Sequence, residues 1–117
     1  MITHPKTEEL AESVALWIEQ IRPSLDPRNA FLARVAANAM ATIRRELTDG
    51  PAAEARATTA MAGVLGHDGD FAALNAELCD RIRAGELTVE TPGLLAALRV
   101  MAMDQLAIDQ PSYKHEV

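Results

Sequence analysis

Apolar residues recur along this chain at intervals of three and four, the period of one helix face, and nowhere alternate strictly as a half-buried strand requires. Leu10, Val14, Trp17, Ile18 and Ile21 form one stripe. A second runs through Leu32, Val35, Ala36, Ala39, Ile43 and Leu47, and a third through Phe71, Leu74, Leu78 and Ile82. Asp26-Pro27, Gly50-Pro51 and Thr91-Pro92 each set an acceptable N-cap before a proline, which suits the first helical position because its missing N–H is not needed there. Thr7 followed by Glu8 and Glu9, and Asp70 before "FAALNAEL", mark two further starts. Pro23, Asp49-Gly50, Gly66 and Gly85 supply the stops. The pattern predicts about five helices over 7–22, 27–48, 51–65, 70–84 and 92–108, with "TVE" at 88–90 too isolated to pair as a strand. Loops this short favour antiparallel neighbours, so the predicted fold is an all-α, single-domain, up-and-down bundle over 1–117, with 1–6 and 109–117 as tails.

Composition supports that reading, because alanine supplies much of the apolar 49% and aromatics are only Trp17, Phe31, Phe71 and Tyr113. A net charge of −6 with scattered basic residues argues against nucleic acid as a partner. No segment reads as a signal core or a membrane span, and the expected compartment is the cytoplasm. Cys79 is the sole cysteine, so it can form no internal disulfide, and it reads as a small buried hydrophobe.

Polar residues close to the apolar faces are the more informative positions. Arg34, Asn38 and Arg45 gather beside Phe31 on the flank of the second helix, with Arg44 on the opposite side. Asn75 falls inside the arc of Phe71, Leu74, Leu78 and Ile82, with Arg81 on its shoulder and Glu77 further round. A buried amide without a partner costs about 1–3 kcal/mol, so Asn75 calls for one. Three readings stand: a structural cross-link of Asn38 or Arg34 to Asn75 or Glu77, a small polar pocket built from the same residues, and simple surface exposure. The last helix is apolar almost all round, and Val100, Met103 and Leu106 are expected at a homodimer or partner interface.

Catalytic and cofactor signatures are sparse. "GHDGD" offers His67, Asp68 and Asp70, but the segment is shorter than an EF-hand loop and reads equally well as a connection. His4 and His115 fall in the tails; no phosphate-cradling glycine loop and no nucleophile elbow occurs. Glu8, Glu9 and Glu12 read as a solvated helix start, and Glu77 and Asp80 as outer-face charges. No metal, cofactor or catalytic residue is assigned.

The segments "FLARVAANAMATIRREL" (31–47), "GDFAALNAELCDRIRAGEL" (69–87) and "LAIDQPSY" (106–113) together resemble an uncharacterised bacterial family of small helical proteins, often encoded beside aminoglycoside-phosphotransferase-like kinases and acyl-CoA dehydrogenases. The resemblance points to Arg34, Val35, Ala36, Asn38, Asn75, Glu77, Leu78, Arg81, Asp109 and Tyr113. Leu32 stands where the family suggests histidine, and Gln110 where it suggests asparagine. Three functions are carried forward. One is an accessory or interaction protein of a phosphotransferase-like kinase or acyl-CoA dehydrogenase. Another is a small-molecule or acyl-CoA-type binding module, with Met40, Met61, Met101 and Met103 as lining and Arg34 and Asn38 at its mouth. The third, an enzyme, requires Arg34, Asn38, Asn75 and Glu77 to converge around an open cavity.

Overall fold

Four α-helices and one short 3-10 turn make up the regular structure of residues 3–113, the part described by this computed structural model. They are α1 (Thr7–Ile21), the 3-10 turn (Arg22–Ser24), α2 (Pro27–Leu65), α3 (Phe71–Arg83) and α4 (Leu94–Asp109). The all-α class is observed, and no strand occurs among the described residues.

The helix count differs from the five expected, because 27–48 and 51–65 are one helix with Pro51 inside it. Proline removes the N–H that would bond to the Leu47 carbonyl, and its ring normally pushes the preceding residue out of the α region by clashing with its Cβ. Gly50 has no Cβ, which removes that part of the clash, and the helix runs on. A dipeptide that reads as a break is therefore compatible with continuity. The chain divides into two compact units at this same point, Met1–Gly50 and Pro51–Val117.

Helix starts follow local chemistry. Asp26 accepts from the backbone N–H of Asn29 at 3.3 Å and from its side-chain amide at 2.6 Å, and these bonds hold its carboxyl below the usual range. Asp70 caps α3 by accepting the N–H of Ala73 at 2.8 Å. At α1 the helix begins on Thr7, and the Glu9 carboxylate reaches back to the Lys6 N–H at 3.3 Å.

Thr91-Pro92 does not open α4, which starts two residues later. The Thr91 hydroxyl accepts from the Thr88 N–H at 2.8 Å, and the Thr91 N–H donates to the Thr88 carbonyl at 2.9 Å. This turn uses Thr91, and the chain enters α4 through Gly93 at φ +83°, a conformation that side chains with a Cβ rarely adopt. The segment read as "TVE" is thus part of a turn.

The first unit pairs α1 with the beginning of α2. Glu12 Oε1 lies 3.7 Å from Arg44 Nη1, so the start of α1 meets a part of α2 well beyond its own start and the two helices run antiparallel. Ala11 and Ala37 are the buried residues among the unit's described residues, and Ile18, Ile21 and Met40 are half-buried. In the second unit Met61, Leu65, Leu74, Leu78, Leu87 and Leu94 form a closed cluster, with Met101 packed against it. Leu87 reaches the cluster because α3 ends in a tight reversal, where the N–H groups of Glu86 and Leu87 return to the Arg81 carbonyl at 3.0 and 3.2 Å.

Candidate functional site

Asn38, singled out by the sequence, lines a groove of about 270 Å³ in the first unit. Glu12 and Glu19 of α1 and Arg44 of α2 supply its other polar walls, over a floor that includes Ala15, Ala37 and Ala41. Arg34 is exposed and is not among the lining residues. Glu12, Glu19 and Arg44 were missed in the sequence because their convergence depends on which sides of α1 and α2 touch. Two spaced glutamates on one helix and an arginine on the polar side of the next are the only signal the chain offers.

The apolar stripes take the other side of this helix pair. At about 100° per residue, Leu10, Val14 and Trp17 point away from Glu12 and Glu19. Leu32, Val35, Ile43 and Leu47 likewise point away from the mean direction of Asn38 and Arg44. All seven are exposed, Trp17 at 58%. Of the α1 stripe, which by sequence is an ordinary packing face, Leu10, Val14 and Trp17 are uncovered while Ile18 and Ile21 are half-buried.

In the second unit Glu77 and Arg81 do come together, within a chain of alternating charges. His67 Nε2 lies 2.8 and 2.9 Å from the two Glu77 oxygens, while its Nδ1 lies 3.0 Å from the Asp68 carbonyl. Both ring nitrogens face acceptors, and only the imidazolium can donate from both. The Asp68 carbonyl first, and then the Glu77 carboxylate, raise the His67 pKa above 6.5. Arg81 continues the chain, 3.6 Å from Glu77 and 3.1 Å from Glu86. His67 and Asp68 also line an open cleft of about 440 Å³ with Thr58, Thr59 and Gly63. In the sequence His67 stands with Asp68 and Asp70 in a segment that reads equally well as a connection; its partner Glu77 lies ten residues on, across the α2–α3 connection. Among the described residues no three His, Cys, Asp or Glu side chains are grouped to hold a metal ion.

Asn75 is half-buried beside Leu74 and Leu78, as its place in the arc implied, and its amide makes no hydrogen bond among the described residues. It belongs to the second unit and Asn38 to the first. Met61 and Met101 are part of the second unit's core cluster and its packing, Met61 with no exposure at all. On α4, Leu94, Ala97 and Ile108 are buried, while Leu95, Leu98 and Val100 are exposed and Met103 and Leu106 half-buried. Arg56 holds α4 by a two-pronged bond to Asp104 at 2.8 and 3.1 Å, which keeps the Asp104 carboxyl below its ordinary range. Cys79 is half-buried, and His115 lies outside the described residues. No helix among the described residues is long and apolar enough to cross a membrane.

Helices alone, one closed leucine-rich core and one uncovered helix pair define a small all-α protein. The chain belongs to the family described as a domain of unknown function, DUF6285, whose model matches residues 23–113. That span includes all three segments on which the resemblance to an uncharacterised family rests. No curated protein and no solved structure matches the chain.

Proposed function

We propose that the protein is a non-catalytic accessory protein that docks on a larger enzyme, with a phosphotransferase-like kinase or an acyl-CoA dehydrogenase as the partner implied by the sequence resemblance. The outer side of α4 supports this reading: Leu95 and Leu98, one turn apart, stay exposed while Leu94 and Ala97 anchor the helix. The chain from residue 51 onward carries ten Asp and Glu against five Lys and Arg. Two copies meeting through such a surface would bring like charges together, whereas a partner with a basic rim would be attracted. Co-expression with each candidate enzyme and capture at low salt is the test. The expected result is co-elution that weakens with salt and disappears in the Leu95→Asp, Leu98→Asp variant; no association with either enzyme at low salt would refute the proposal.

A second reading, a binding module for small molecules or acyl-CoA-type ligands, is favoured by the groove of Glu12, Glu19, Asn38 and Arg44. An arginine and an amide beside carboxylates suit a ligand with both acidic and hydroxyl groups. A thermal-shift screen with acyl-CoA and hydroxy-acid ligands tests it, and a flat response in the native protein would remove it.

A further inference from the structure

We infer that the apolar side of the α1/α2 pair seats a second copy of this chain, related by a two-fold axis, so that four helices close around the two faces. The pattern along α2 carries the argument, because it is complementary to itself. Leu32, Val35, Ala39 and Ile43 are centred near position 37, and Arg28 and Glu46 stand at the two ends of the stripe on one shared helical bearing, nine positions to either side. An antiparallel two-fold through that centre sets Arg28 of each copy against Glu46 of the other, Leu32 against Ile43, and Val35 against Ala39. Arg28 and Glu46 are both exposed, and neither takes part in an ion pair among the described residues.

Area and charge agree with that occupant. At about 150 Å² for a large apolar side chain, the seven exposed stripe residues leave on the order of 500 Å² uncovered. A standard interface buries about 800 Å² per partner, of which about 57% is apolar, so the face is of the required size. The first fifty residues hold six Lys and Arg against seven Asp and Glu, close to neutral, so two copies approach without the repulsion expected of the acidic second unit. Antiparallel helices also fix where α1 enters. Counting inward from the Glu12–Arg44 contact brings position 37 of α2 level with Glu19, which places Trp17 within one turn of the axis.

Sedimentation equilibrium over a concentration series, read together with fluorescence of Trp17, the only tryptophan, tests the inference. The native protein is expected to dimerise, with Trp17 emission moving to shorter wavelength as the dimer forms. Arg28→Glu and Glu46→Arg are each expected to raise the dimer dissociation constant by about tenfold or more, since each swap puts two like-charge pairs into one dimer. The double variant restores it to within about threefold, and Val100→Asp on α4 leaves it unchanged. Circular dichroism confirms that each variant keeps its helices. A monomer up to ~1 mM, an emission wavelength independent of concentration, or charge swaps that fail to rescue each other would overturn the inference. The enzyme-docking proposal concerns α4 and stands or falls separately, on the co-elution experiment.

Discussion

Truncating Leu78 to alanine probes the one part of the molecule that is closed on itself. Leu78 is 2% exposed and sits among Met61, Leu65, Leu74, Leu87 and Leu94. Removing three carbons forfeits about 2.4 kcal/mol of transfer free energy, at about 0.8 kcal/mol per methylene. A partly relaxed void of about 60 Å³ adds about 1.4 kcal/mol at ~24 cal/mol per Å³. The expected loss is therefore ~3–5 kcal/mol, a large fraction of the ~5–15 kcal/mol that holds a domain of ordinary stability together. Leu95 is the matched control on α4: at 56% exposure it already spends half its surface in water, and it would leave no void. Leu95→Ala should cost about 1 kcal/mol or less. Urea denaturation followed by circular dichroism gives both values, and at ~4–8 °C per kcal/mol the Leu78 variant should melt at least ~12 °C lower. Equal losses at the two positions, or a Leu78 loss below about 1 kcal/mol, would refute the assignment of the core.

Two other perturbations read the polar and backbone features. His67 has its folded-state pKa raised above 6.5 by the Asp68 carbonyl and by Glu77, so its contribution to stability is fully present below pH 6.5 and is lost as pH rises through the folded value. NMR titration should find that raised pKa, and Glu77→Gln should move it part of the way back while the Asp68 contact remains; no movement would count against the ion pair. Pro51→Ala should stabilise α2 by roughly 1–3 kcal/mol, because alanine restores the N–H facing the Leu47 carbonyl and is the better helix former. A destabilised variant would mean that the proline itself is needed at that position.

How much was legible in the chain depends on how local the deciding physics is. Asp26 and Asp70 announce helix starts because a cap needs only a carboxylate and an N–H three residues away, and both bonds form. Thr91 fails by the same logic: its hydroxyl has a competing N–H at Thr88, and the turn takes it. Gly50-Pro51 misleads because proline's dislike of a helix interior is real but weakened by the glycine before it. The second unit's core residues Leu74 and Leu78 follow directly from period. The charge chain was half visible, since Glu77 and Arg81 share a helix at a spacing of four, but His67 joins them only through the fold of the connection. The Glu12–Asn38–Arg44 groove was not visible, because periodicity locates a helix's apolar stripe and here the contact is made by the small residues beside it.

That choice of contact also sets what the first unit requires. Helices in proteins gain most of their stability from packing an apolar face, and the only side chains that the first unit buries fully, among the described residues, are those of Ala11 and Ala37. An alanine methyl removes far less surface from water than a leucine or tryptophan side chain, so the α1/α2 contact alone supplies little of the driving force that the Met61–Leu94 cluster gives the second unit. Ile18, Ile21 and Met40 are half-buried, but Leu10, Val14 and Trp17 with Leu32, Val35 and Ile43 stay 44–58% exposed. Covering them with a second copy would therefore add to association and to helix stability together. The fraction of α1 that is helical should then follow the same concentration dependence as the dimer.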